Sequence, residues 1–148
     1  MPALILVCTL LVAATAGGLW RRRNGKLRPA GATARSLTAA DLVAVGGLAG
    51  PRATLVQFSS SFCAPCRATA RILTEVAEMV DGVTYVDIDA ESHLDVVRRH
   101  QILRTPTTLV LDADGTVVVR ASGQPRKADV IAAVGRAIER STATSPSP

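Results

Sequence analysis

The sequence predicts an α/β fold: a three-layer sandwich with a mixed sheet of four to five strands and helices on both faces, plus an N-terminal transmembrane helix. Three observations predict it. The β-branched runs "ATLVQFSS" and "VTYVDIDAE" flank a segment with apolar residues at helical spacing, which makes a strand–helix–strand unit and hence a parallel pair. The stretch "TPTTLVLDADGTVVVRASG" holds two further apolar runs joined by an Asp- and Gly-containing turn, an antiparallel hairpin that makes the sheet mixed. Amphipathic segments before, between and after these strands supply the covering layers.

Each element follows from local chemistry. Residues 3–20, "ALILVCTLLVAATAGGLW", run for 18 positions without a charge and end at an arginine triplet. A bilayer core needs about 17–25 apolar residues per helix, so the run is just long enough for a transmembrane anchor. Residues 21–36 are basic and interrupted by Gly and Pro, a juxtamembrane linker. Thr38 is a fitting N-cap for a helix of roughly two turns stopped by Gly46 and Gly47. After the first strand, Ile72, Leu73, Val76, Met79 and Val80 mark the helix that follows, with Gly82 as its stop. Ser92 caps a short helix carrying Leu94, Val97 and Ile102. The last helix opens after Pro125 and repeats Val130, Val134, Ala137 and Ile138 on one face. The folded domain is expected over residues 37–140, with 141–148, "STATSPSP", a disordered tail.

Composition narrows the function. Hydrophobic residues make up 48% and charged residues 20%, which is globular. The formal charge of +5 is local: six of the 17 basic residues lie in the first 35 positions, which hold no Asp or Glu, and the other 11 face all 12 acidic residues. A nucleic-acid surface is therefore not indicated. Basic residues flanking a span stay on the cytoplasmic side, so the charges after the apolar run place the domain in the cytoplasm as a single-pass membrane protein. The alternative is signal cleavage at the small-x-small pattern Ala14-Thr15-Ala16, giving an extracytoplasmic or secreted domain. Cys8 lies inside the apolar run and counts there as a small apolar residue.

That leaves Cys63 and Cys66, spaced as Cys-Ala-Pro-Cys at the start of a predicted helix. The unpaired N–H groups of a helix's first turn stabilise a thiolate, so Cys63 is the expected attacking sulfur and Cys66, one turn further in, the resolving one. A structural zinc site would take four ligands, and only His93 and His100 remain, far along the chain. Two-coordinate Cu(I) between the thiolates stays chemically open.

The segment "LVQFSSSFCAPC" resembles the active site of the thioredoxin family: an apolar strand, an aromatic residue before the first cysteine and a proline before the second. "LRTPTTLVL" is similar to the family's cis-proline segment, and "RASGQ" to its glycine loop. The resemblance implies a thioredoxin-like sandwich in which Cys63 and Cys66 are catalytic. Phe62 would line the rim of the site, Pro65 would constrain the loop, and Thr105, before a cis Pro106, would pair with an extended client through its backbone. Gly123 would let that client approach closely. The departures from the family pattern are Gln57 in place of a frequently buried carboxylate, Phe62 and Ser59 in place of tryptophans, Ala64 in place of a glycine, and no proline to bend the active-site helix. Gln57 cannot serve as a general base for Cys66.

The expected function is thiol–disulfide exchange with protein clients, in the reducing direction, supplied by an upstream electron donor and with no cofactor beyond the two cysteines. The alternative is a membrane-tethered binding or copper-carrying module without redox turnover.

Overall fold

The computed structural model describes residues 2–30 and 36–144. Its elements are α1 (Pro2–Arg23), β1 (Leu27–Pro29), α2 (Ala39–Ala44), β2 (Ala53–Ser59), α3 (Ala64–Met79), β3 (Val83–Asp89), α4 (Leu94–Arg99), β4 (Thr107–Asp112), β5 (Val117–Ser122) and α5 (Lys127–Thr144). The sheet order is β1-β5-β4-β2-β3. Strands β2 and β3 are parallel, joined through α3, and every other pair is antiparallel.

Alternation along the strands divides the core in two. Leu55, Val110 and Val119 face α3 and α5, packing on Leu73, Val76, Val130, Val134 and Ala137. Val56, Phe58, Ile88, Leu109 and Leu111 face the opposite way, packing on Leu42 and Val96 of the two short helices and on Leu37 and Ile102. Gln57 lies on the same side of β2 as Leu55, so the strand delivers a polar side chain beneath α3.

Local signals account for most boundaries. Thr38 and Asp41 form a reciprocal capping box on α2, and the Thr38 hydroxyl and peptide N–H hold the Asp41 carboxyl below the usual carboxylate range. Ser92 does not cap α4: His93 holds that position, and the Ser92 hydroxyl donates instead to Asp89 at 2.5 Å. Met79, expected on the buried face of α3, is the last residue of that helix and is 61% exposed.

Two segments are more ordered than the sequence predicts. Leu27–Pro29, within the expected linker, is an edge strand registered with Val119–Ala121 on β5. Residues 141–144, expected in the tail, continue α5; residues 145–148 lie outside the described residues. Linker residues 31–35 lie outside them too.

Helix α1 exposes Leu4, Ile5, Leu6, Val7, Leu10, Leu11, Val12 and Leu19. Among the described residues, no helix is long and apolar enough to cross a membrane.

Candidate active site

The loop after β2 carries the chain from the C-terminal edge of the sheet onto α3, the place where open α/β sheets gather chemistry. Cys63 is the N-cap of α3, in extended conformation at φ −113° and ψ 93°. Pro65 sits in the first helical turn, where its missing N–H leaves no hydrogen bond unmade. Cys63 and Cys66 are joined as a disulfide with their Cα atoms 5.2 Å apart.

Geometry separates the two sulfurs. The Cys63 Sγ accepts the Cys66 peptide N–H at 3.2 Å, and the Cys63 carbonyl accepts it at 3.1 Å. A thiolate at Cys63 would keep that donor and the positive end of α3, which makes it the better stabilised nucleophile. Cys66 is 3% exposed and faces the sheet from one buried stripe with Thr69, Leu73 and Val76. Phe62 is fully exposed at the rim, and Ala64 and Pro65 are exposed beside it.

The second wall comes from the approach to β4. The Thr105–Pro106 peptide bond is cis. The Ser60 and Thr105 hydroxyls lie 2.9 Å apart, pinning this wall to the cysteine loop. The Pro106 carbonyl accepts the Gly123 N–H at 2.7 Å, and the Arg104 guanidinium donates to the Ser122 carbonyl at 2.9 Å. Among the described residues no hydrogen bond engages the peptide N–H or C=O of Thr105. That leaves a backbone donor and acceptor beside the sulfurs.

Gly123 has φ +97° and is buried. A Cβ there would lie 3.0 Å from the Gly25 nitrogen and 3.1 Å from the Asn24 side chain, so the segment between α1 and β1 packs directly on this loop. Gly25 donates to the Ser122 carbonyl at 2.9 Å, and a Cβ on Gly25 would overlap the Gln124 carbonyl. Close packing of these two glycines thus requires glycine at 123, whatever else approaches it.

Beneath Cys66 lies Gln57, fully buried. Its Nε2 donates to the Cys66 carbonyl at 3.0 Å, and its Oε1 accepts the Tyr85 hydroxyl at 3.2 Å. Both amide ends are satisfied, so a neutral strut joins β3 to the first turn of α3. Burial, with the Asp87 charge adding to it, pushes the Tyr85 phenol far above its usual range. Asp87, level with Gln57 in the β2–β3 register, is raised by partial burial; a Ser59 hydrogen bond offsets this in part, and the Asp89 charge reinforces it. Asp89 is lowered by the Ser92 hydroxyl and the Glu91 N–H. The Thr69 and Thr108 hydroxyls are buried without a hydrogen-bond partner among the described residues.

The structure therefore brings together Cys63, Cys66, Phe62, Ala64, Pro65, Thr105, Pro106 and Gln57, and ties Gly123 to Pro106. It adds Ser60, Tyr85 and Asp87. Tyr85 carried a usable signal: it shares the parity of Asp87 on β3 and, once the strands are paired, the face of Gln57. Among the described residues no three His, Cys, Asp or Glu side chains cluster closely enough to hold a metal ion.

Comparison with known proteins agrees with this geometry. The family model described as Thioredoxin matches residues 48–136. A thioredoxin of Mycobacterium bovis is 32% identical over 85 residues, covering 57% of this chain and 72% of that protein. A thioredoxin-like protein of Synechocystis is 35% identical over 82 residues, covering 55% of this chain and 77% of that protein. Among solved structures, chloroplastic thioredoxin z superposes with a TM-score of 0.53 at 29% identity, covering 59% of this chain and 79% of that one.

Proposed function

Since the chain belongs to the thioredoxin family and carries the site of a thiol–disulfide oxidoreductase, we propose that it reduces disulfides in protein clients from a membrane-anchored position. The observation that carries the proposal is the Cys63–Cys66 couple, with Cys63 at the N-cap of α3 and the unengaged Thr105 backbone beside it. A client segment aligns on Thr105 as an added strand. The Cys63 thiolate attacks one sulfur of the client disulfide, forming a mixed disulfide and releasing the other client sulfur as thiolate. Cys66 then attacks Cys63 Sγ, closing the Cys63–Cys66 disulfide and freeing the second client thiol. The client gains two electrons and the dithiol loses them, so an upstream dithiol donor must reduce the protein again.

Membrane anchoring through α1 is supported by the uncharged run of 18 residues and by leucines exposed around its whole circumference, each worth about 1.5–3 kcal/mol when taken out of water. The basic residues after the run favour a cytoplasmic domain, where thiols are kept reduced. The full chain is expected to float with lipid vesicles and to resist alkaline extraction; recovery in the soluble fraction would remove the anchor from the proposal.

The test of the redox reading is the midpoint potential of the full chain against a glutathione or dithiothreitol series. A value near the roughly −270 mV of thioredoxin supports a reductant, while one at or above about −180 mV points to oxidation or isomerisation of clients. Absence of any reversible two-electron couple would leave a tethered binding or Cu(I)-carrying module in its place.

A further inference from the structure

The resolving step poses a problem that the proposed function leaves open. Cys66 must lose its proton before it can attack Cys63, and a buried thiol ionises reluctantly. Gln57, the side chain bound to the Cys66 peptide, cannot take up that proton, since a carboxamide is not basic and both its ends are engaged.

Four other groups stand near this end of the sheet. Tyr85 is held protonated, its hydroxyl committed to Gln57. Asp89 is tied down by Ser92 and the Glu91 N–H, which lowers its basicity. Glu91 accepts from the Ser61 hydroxyl at 3.1 Å at the exposed rim. Asp87 differs from all three. It is level with Gln57 on the neighbouring parallel strand, two positions from Tyr85 and bonded to Ser59, so it borders the Tyr85–Gln57 strut beneath the first turn of α3. It is exposed, which gives the proton an exit.

We propose that Asp87 is the proton acceptor for Cys66, occupying the neighbouring strand in place of a carboxylate at position 57 and reached from the thiol through water along the Gln57 amide and the buried Thr69 hydroxyl. The inference rests on the redox reading above. In the mixed disulfide, the Cys66 S–H bond breaks and the proton passes to the Asp87 carboxylate. The Cys66 thiolate then forms a bond to Cys63 Sγ as the Cys63–client bond breaks, and the departing client thiolate takes a proton from solvent while Asp87 returns its own.

The groups facing Asp87 fix its pH behaviour. From β3 these are Tyr85 and Asp89, and from β2 Ser59 and, at the paired position, the neutral Gln57; Arg67, the basic residue in the first turn of α3, is exposed and makes no ion pair with it among the described residues. Burial and the Asp89 charge raise its pKa. The carboxylate is the active form, so the resolving rate falls as pH drops through that raised value.

Dithionitrobenzoate, a chromogenic aryl disulfide, separates the two steps on the reduced full chain. The first thionitrobenzoate appears when Cys63 attacks, the second when Cys66 resolves the adduct. Asp87→Asn is expected to leave the first phase unchanged and slow the second roughly tenfold or more, within the range of general-base effects, with loss of the acid limb of its pH profile. Asp87→Glu should restore both rate and limb. A second phase in Asp87→Asn with the wild-type rate and pH profile would overturn the proposal. A wild-type protein lacking the second phase altogether would instead count against the redox reading. The unchanged first phase shows in the same trace that the variant is folded.

Discussion

Cys63→Ser is expected to abolish turnover of a protein disulfide by roughly a thousandfold or more, because a serine hydroxyl at the N-cap of α3 is not ionised by the helix end that stabilises a thiolate. Cys66→Ser is expected to fail differently. It keeps the attacking sulfur and its N–H donor, so it should capture a client as a stable mixed disulfide at Cys63, visible as an adduct by mass spectrometry. Both variants lose the internal disulfide. The closed loop is short, so its loss should cost only about 2 kcal/mol of stability relative to the oxidised wild type. The loss of activity therefore cannot be put down to unfolding, and a thermal melt of each variant beside reduced wild type checks this. Substantial turnover by Cys63→Ser would show that Cys66 can attack clients directly, which its burial argues against.

How far such expectations were legible in the sequence depends on the range of the interaction. The capping box of α2, the hairpin of β4 and β5 and the cysteine N-cap of α3 are set by residues a few positions apart, and composition alone marks them. Strand β1 has no such mark. Leu27, Arg28 and Pro29 carry no alternating pattern, and only backbone pairing with β5, some ninety positions away, makes them a strand. The end of α5 is similar: the Ser141 hydroxyl donates to the Ala137 carbonyl and accepts the Ala113 N–H at 3.0 Å, a contact that carries the helix beyond Arg140. In the site, the cysteine pair and the Thr-Pro segment were readable as motifs. The partners of Gln57 were not, because Tyr85 looks like an ordinary strand aromatic until β2 and β3 are set in register.

Gln57→Glu tests the same network from below, and its effect on stability should be large and dependent on pH. Protonated, the glutamic acid matches the amide in shape: its O–H can donate to the Cys66 carbonyl, and its other oxygen can accept from Tyr85. Ionised, it loses the donor and places a charge at a position with no exposed surface and no basic partner in its hydrogen-bond network. Burial thus raises its folded-state pKa above the unfolded value of about 4.3. Below about pH 4 both states are protonated and the variant should nearly match wild type. As pH rises, the unfolded chain ionises first, and the deficit grows until the folded pKa is passed, reaching about 2–4 kcal/mol at pH 8. Urea midpoints of wild type and variant at the two pH values give the result directly. A gap that is the same at both would show that burial does not raise the pKa of a carboxyl at position 57. The carboxylate that destabilises the fold also lies where Cys66 needs a base. In the Asp87→Asn background, Gln57→Glu should therefore recover the second phase with dithionitrobenzoate, with a pH limb set by position 57. Recovery would show that the strand beneath α3 accepts a base at either of two neighbouring positions, and that this chain trades proximity to Cys66 for a neutral core.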